Sequence, residues 1–386
     1  MISEPREILS ELVAFDTTSR NSNLHLIEWV EAFLARSGVA STRVTSPDGG
    51  KANLWATIGP KDVPGYVLSG HTDTVPVDEQ VWASDPFTLS ERDGRLYGRG
   101  AADMKGFLAC VLSRVPAMAA ANLVRPLHIA FSYDEEIGLI GARHLMPEIG
   151  RLAPTPPIAC FVGEPTNMQV VVAHKGRYVY RGSVTGKPCH SSRAPDGVNA
   201  IDYAAELILK IRDIGRRLVA EGGTDDLYDV PFSTAHTGLI SGGTAVNIVP
   251  EHCSFDFEFR PLPGVDHEPW LAEVVALARD ELEPRMQAID LDAGIEFVLD
   301  NGVPGFDTAI DSEAVTLAKR LAGRNDHAKV AYGTEAGLFV WEAGIPSVVI
   351  GPGSIAQAHA EDEFIEIAEL SKCVGFLDRL IAHCSA

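Results

Sequence analysis

The chain has 386 residues, 46% hydrophobic and 22% charged, which suggests about two domains with large cores and is far from the composition of a disordered protein. Its formal net charge of −21 argues against nucleic-acid phosphates or anionic membranes as partners, since both need clustered Lys and Arg. The same acidity suits a protein that binds cations, either metal ions or an amine-bearing small molecule. The six cysteines (Cys110, Cys160, Cys189, Cys253, Cys373, Cys384) include no CxxC pair, so no disulfide framework is expected and a reducing compartment fits. Met1–Leu12 lacks the order of a signal peptide, and no apolar run approaches the ~20 residues of a membrane span. A soluble cytoplasmic protein is the expectation.

In chain order, helical spacing covers residues 3–15 and again 24–36, the second closed by Gly38. Tyr66–Ser69 reads as a short strand stopping at Gly70-His71. A helical face follows (Met104, Phe107, Leu108, Val111, Leu112, Val115), with Asp103 at its N-cap position. Leu127–Tyr133 is a strand ending at Asp134-Glu135-Glu136, and Ile158–Val162 another, ending at Gly163-Glu164-Pro165. Near residue 178 the pattern changes. Tyr178–Thr185 alternates, 198–219 is a long amphipathic helix, and Phe255, Phe257 and Phe259 alternate with Asp256, Glu258 and Arg260. A helix over about 266–282 and a strand at Ile295–Val298 complete a β-α-β-β-α-β order, as in a ferredoxin-like module. Strand–helix alternation then returns, with a strand at Val348–Ile350, a Gly351-Pro352-Gly353 turn and a closing helix over 364–383. The expected fold is α/β: an α/β/α catalytic domain in two segments, 1–178 and 300–386, around a smaller α+β lid and dimerisation domain, 179–299.

Five residues of metal-ligand type fall at strand ends or in the last loop: His71, Asp103, Glu136, Glu164 and His359. The first four are 32, 33 and 28 residues apart, about one strand–helix unit each, so they can gather at one sheet edge. Three carboxylates and two imidazoles there call for bound cations. Each residue alone has an ordinary reading, as a strand-end His, a helix-capping Asp or an acidic loop start; together they point to two metals. One His and one Glu would serve each ion, and Asp103 could bridge a pair about 3.5–4 Å apart. Asp73, two residues after His71, can accept the other ring N–H. Of Glu135 and Glu136, one can bind metal while the other stays free as general base; spacing leaves open which is which. Nitrogen and oxygen ligands without thiolate favour zinc, with cobalt or manganese able to substitute. Gly351–Ala356 also matches GxGxxG/A after a strand, which keeps a dinucleotide-binding oxidoreductase as a rival.

Several stretches resemble the two-zinc aminoacylase and exopeptidase family: Ser69-Gly-His-Thr-Asp73, Gly100-Ala-Ala-Asp-Met-Lys-Gly106, Asp134-Glu-Glu136, Gly163-Glu-Pro165 and the late His359. The likeness extends over nearly the whole chain. It implies one zinc on His71 and Glu164, the other on Glu136 and His359, Asp103 as bridge, Glu135 as base and Asp73 orienting His71. Gly186–Ser192 and Pro195–Ala200 resemble that family's lid motif, which would make His190 an oxyanion-stabilising residue completing the site of a partner subunit in a homodimer. Asn247 and Arg260 resemble positions that contact the substrate carboxylate or oxyanion; the ordinary alternative for Arg260 is a pair with Asp256 or Glu258 on its own strand face. Phe15–Asn23, Tyr332–Leu338 and Gly351–His359 resemble the branch acting on N2-acetyl-L-ornithine. Thr334 and Glu335 are then expected at the substrate, Glu335 facing a cationic amine; its ordinary alternative is a carboxylate at a helix N-terminus. Acetylcitrulline, succinyl-diaminopimelate or a broad range of N-acyl amino acids are the alternatives. The reaction implied is amide hydrolysis, with Glu135 taking a proton from water and passing it to the leaving amine.

Overall fold

A computed structural model describes residues 4–386; Ser3, where the first expected helix begins, and the first three residues of Met1–Leu12 lie outside them. The chain divides into two compact units. One comprises the chain through Ala173, Phe306–Lys329 and Thr334–Ala386; the other comprises His174–Gly305 with Val330–Gly333. The divisions thus fall at 173/174 and 305/306, where the sequence reading put 178/179 and 299/300.

In the first unit, helix α1 (Pro5–Val13) starts on a proline, whose fixed φ suits a first turn, and α2 (Leu24–Arg36) is followed by Gly38 at φ +71°. The sheet is laid down by β1 (Ala52–Ile58), β2 (Tyr66–His71), β3 (Leu127–Ser132) and β4 (Ala159–Val162). β2 pairs in parallel with β3, Tyr66 opposite Leu127, and with β4, Tyr66 opposite Ala159. The strand Ser347–Val349 extends β4 in parallel, and β1 closes the other side of β3 antiparallel. β2, β3 and β4 are buried along their whole length, as strands of a parallel sheet covered on both faces are. Their shared direction brings their C-terminal ends to one edge, the edge where open α/β sheets bind ligands.

Helix α3 (Gly106–Ala120) is apolar on nearly every side and packs against α1 and the C-terminal helix Ile367–Cys384. It presses onto the end of β4 so closely that a Cβ on Gly163 would lie 2.0 Å from the Phe107 ring. Only glycine permits that approach. The closing helix begins at Ile367 rather than 364, because Phe364–Glu366 pairs antiparallel with Arg95–Tyr97.

The second unit runs β5 (Arg177–Thr185), α4 (Ala200–Glu221), β6 (Thr234–Gly242), β7 (His252–Arg260), α5 (Glu268–Ala276) and β8 (Gly294–Val303). Its antiparallel sheet has the spatial order β6-β7-β5-β8, the ferredoxin-like arrangement. Phe255, Phe257 and Phe259 turn inward onto the apolar face of α4 (Ala204, Leu207, Ile211, Ile214, Leu218), and each such side chain contributes roughly 1.5–3 kcal/mol by leaving water. Asn199 caps α4, its Oδ1 accepting from the amides of Ile201 at 3.0 Å and Asp202 at 3.4 Å. No described helix is long and apolar enough to cross a membrane.

Candidate metal centre

At the C-terminal edge of the first unit's sheet, His71, Asp103 and Glu164 each offer a ligand atom within 4.8 Å of the others, and so do Asp103, Glu136 and His359. Asp103 is shared. Its Oδ1 lies 3.0 Å from His71 Nε2 and its Oδ2 lies 3.3 Å from His359 Nε2. Glu164 Oε1 is 3.7 Å from His71 Nε2, and Glu136 Oε2 is 3.0 Å from His359 Nε2. The four residues that strand–helix spacing gathers, and His359 from the last loop, come together.

Asp103 reaches this position without capping α3. Residues Ala101–Lys105 form a wide turn in which Asp103 has extended backbone (φ −120°, ψ 94°) and makes no side-chain cap, and α3 proper starts at Gly106. The expected N-cap is therefore replaced by a carboxylate turned toward two imidazoles. His71 ends β2, and its Nδ1 donates to the backbone carbonyl of Asp73 at 2.9 Å, with Asp73 Oδ1 farther off at 3.5 Å. The acceptor of that ring N–H, expected to be the Asp73 carboxylate, is thus mainly the Asp73 backbone carbonyl. The carboxylate takes the amides of Glu135 at 3.0 Å and Glu136 at 3.3 Å and the Ser19 hydroxyl at 2.7 Å, so it fixes the acidic pair as well as the histidine loop. Glu135 is half-buried beside the two triads, and no described residue donates a hydrogen bond to its carboxylate.

The electrostatics are those of a site short of positive charge. Burial pushes Glu164 and Glu135 well above the usual carboxylate range; Asp103 adds to both and Glu136 to Glu135. Burial and Asp103 likewise raise Glu136. Burial alone would depress the His71 imidazole, yet its bonds to Asp103 and Asp73 hold it well above its ordinary value. Hydrogen bonds donated to Asp103 and Glu136 lift His359 to about 10. The residues fit a pair of divalent cations, since the ligand atoms already face one another, all are nitrogen or oxygen, and ions would relieve the repulsion among the clustered carboxylates.

The remaining expected site residues lie elsewhere. In the second unit, exposed His190 precedes a 3₁₀ turn and its Nδ1 accepts from Ser192 N at 3.2 Å. Exposed Asn247 sits beside it, its carbonyl accepting from Ser191 N at 2.9 Å. Arg260 bonds Glu258 Oε1 at 2.7 Å and the Ala331 carbonyl at 3.3 Å, so the same-face pairing is realised. Glu335 and Thr334 correct the sequence expectation. Both are buried in the first unit. Glu335 Oε1 accepts from Ser69 at 2.7 Å and its Oε2 from Ser132 at 2.8 Å, which ties β2 to β3 and leaves no open face for a substrate amine. Thr334 Oγ1 accepts from Ala336 N at 3.1 Å. The GxGxxG-like run gives the rival dinucleotide reading no support. Gly351 packs against the Gly163 backbone, and the run leads into a three-residue 3₁₀ turn instead of the helix a dinucleotide site requires.

Three residues that order the site escaped the sequence reading. Ser19 lies inside the Phe15–Asn23 stretch but has no pattern of its own. Glu363 sits in an acidic run that reads as solvated, yet it is buried and accepts from the amides of Gly100 at 2.9 Å, Ala102 at 2.8 Å and Asp103 at 3.0 Å. Arg99 is its buried partner at 2.7 Å.

The profile of peptidase family M20/M25/M40 matches residues 67–383. The chain belongs to this family. Among curated M20 relatives, the acetylornithine deacetylase of Photorhabdus laumondii is 36% identical over 371 residues, covering 96% of this chain and 93% of that protein. The acetylornithine deacetylase of Myxococcus xanthus is 36% identical over 390 residues, covering 98% and 97%. Among solved M20-like folds, an M20 family metallo-carboxypeptidase from Sulfolobus solfataricus superposes with a TM-score of 0.75 at 20% identity, covering 98% of this chain and 99% of that one. Aminopeptidase PepT from Bacillus cereus gives 0.74 at 23%, covering 97% and 98%.

Proposed function

We propose that the chain hydrolyses N2-acetyl-L-ornithine to L-ornithine and acetate, a step of arginine biosynthesis, using two divalent cations. The observation that carries the chemistry is Asp103, with one oxygen toward each histidine-containing triad. The substrate follows from the acetylornithine deacetylases that align over 96% or more of this chain. Zinc suits the donor set best, and cobalt or manganese can replace it.

In this reading His71 and Glu164 would hold one ion, Glu136 and His359 the other, and Asp103 would be shared. Such ions supply Lewis acidity to the acyl carbonyl and to water. Glu135, whose oxygens no described residue engages, takes the proton from the attacking water and returns it to the departing amine. Asp73 keeps Glu135 in place through the backbone amide it accepts. His190 steadies the tetrahedral oxyanion in the site of a partner subunit, and Asn247 and Arg260 contact the substrate carboxylate or oxyanion. The second unit serves as lid and dimerisation domain. Its edge strand β6 carries exposed Leu239 and Ile240, a surface that suits pairing with a second copy. Six free cysteines accord with the cytoplasm.

The test is a deacylation screen with added zinc or cobalt across acetylornithine, acetylcitrulline, acetylmethionine and succinyl-diaminopimelate. Acetylornithine is expected to give the highest kcat/KM. Preference for any other of the four sinks the substrate assignment, and full activity after exhaustive chelation sinks the chemistry.

A further inference from the structure

The two triads are not held in the same way. His71 and Glu164 sit at or just beyond the ends of β2 and β4, where the parallel sheet sets their place. Asp103 and His359 sit on loops. Asp103 lies in the wide turn before α3, and His359 has a left-handed backbone, φ +62°, in an exposed segment. Such a conformation costs a non-glycine residue energy and persists only where the surroundings impose it.

Those surroundings meet at one side chain. The Arg99 guanidinium is 1% exposed. Its Nη1 donates to Glu363 Oε2 at 2.7 Å, and Glu363 Oε1 accepts from Asp103 N at 3.0 Å. Its Nη2 donates to Gln80 Oε1 at 2.5 Å, and Gln80 Nε2 donates to the His359 carbonyl at 2.9 Å. Trp82 Nε1 donates to the same Gln80 oxygen at 3.1 Å, and its ring lies 5.1 Å from the guanidinium carbon. One planar fork thus reaches the backbone of both loop-borne ligands, each through a single intermediary. A guanidinium has the donors and the fixed geometry for this; an ammonium does not.

We infer that Arg99, acting through Gln80 and Glu363, is the positioning residue of the second cation site, the one formed by Asp103, Glu136 and His359. It touches neither ion nor substrate. Its effect falls most on the affinity of that site, where it reaches both Asp103 and His359, and less on the strand-held site of His71 and Glu164, which it reaches only through the shared Asp103. The inference rests on the two-cation reading above.

The experiment is a zinc titration of the metal-stripped protein against a chromophoric chelator, which resolves two dissociation constants in the parent. His359→Ala identifies which of the two steps belongs to the second site. Gln80→Glu keeps the acceptor for Arg99 and Trp82 but removes the donor facing the His359 carbonyl. It is expected to weaken that same step roughly 10–100-fold, the usual consequence of losing an outer-shell partner. The other step should stay in place, and kcat should recover at saturating zinc with KM for the substrate unchanged. Arg99→Lys, which also loosens Glu363 at the shared Asp103, should weaken that step at least as much and shift the other step by less. The inference fails if Gln80→Glu leaves both constants where they were, shifts both equally, or lowers only the thermal midpoint. A parent protein that binds fewer than two zinc ions overturns the two-cation reading itself, and the inference with it.

Discussion

In the first unit Asp73, Asp103, Glu164, Glu335 and Glu363 are all buried, together with Arg99 and Lys105, whereas in the second unit Lys175 is the only buried Asp, Glu, Lys or Arg among the described residues. The second unit keeps its charges in pairs at its surface, such as Arg181 with Asp256 and Lys210 with Glu273, and fills its core with aromatic and aliphatic side chains. Burying a charge is costly unless it is paired or coordinated. The second unit avoids that cost. The first accepts it, and the accepted charges cluster at a single sheet edge. The contrast locates the chemistry before any relative is considered, because stability alone gives no reason to crowd acids together.

The contrast can be broken or sharpened by experiment. The largest effect is expected at Glu135, whose carboxylate accepts no hydrogen bond from any described residue. Glu135→Gln should lower kcat roughly 10²–10⁴-fold, the range of a general base, while metal analysis still finds two ions per chain. Activity within tenfold of the parent would remove Glu135 from the mechanism. Next is Glu363→Ala. It strands Arg99 and three backbone amides, and losing one partner of a buried pair costs about 3–5 kcal/mol, readable by denaturant unfolding.

A third effect depends on pH. Burial pushes His128 down to about 4, so the folded protein keeps that imidazole neutral. Its contribution is intact above the ordinary value of 6.5 and is lost as pH falls from there toward 4. Stability measured across that window should therefore fall further for the parent than for His128→Gln, by on the order of 3 kcal/mol. Parallel curves would show that His128 does not charge on unfolding. The smallest effect is expected at Arg181→Ala in the second unit, which should leave the unfolding midpoint within experimental error, as exposed ion pairs do. If it costs as much as Glu363→Ala, the two units do not differ in the way described.

Much of the fold was legible. Strands β2, β3 and β4 read as short apolar runs ended by polar residues, and the alternating phenylalanines of β7 announced a sheet with one buried face. These signals are local, since a side chain's face follows from the period of its own element. The candidate ligands were legible for a related reason: each is a chemically distinctive residue at an element boundary. Glu335 and Glu363 were not. A carboxylate before a helix and another in an acidic run look alike in sequence whether they face solvent, a substrate or a set of buried donors. Here the hydroxyls of Ser69 and Ser132 claim the first, and Arg99 with three backbone amides claims the second. Asp73 was half legible. Its place beside His71 could be foreseen, but its bonds to the amides of Glu135 and Glu136 could not, because amides carry no residue identity.

What the amino-acid order by itself determined is which segments become strands and helices and which ligand types stand at their ends, because propensity and periodicity act within a few residues. Tertiary structure alone decided that Asp103 would share its two oxygens between His71 and His359. It also decided that Glu335 would serve the sheet instead of a substrate. Both depend on parallel strand register and on loops fixed by Arg99 and Glu363, contacts between residues as many as 266 positions apart.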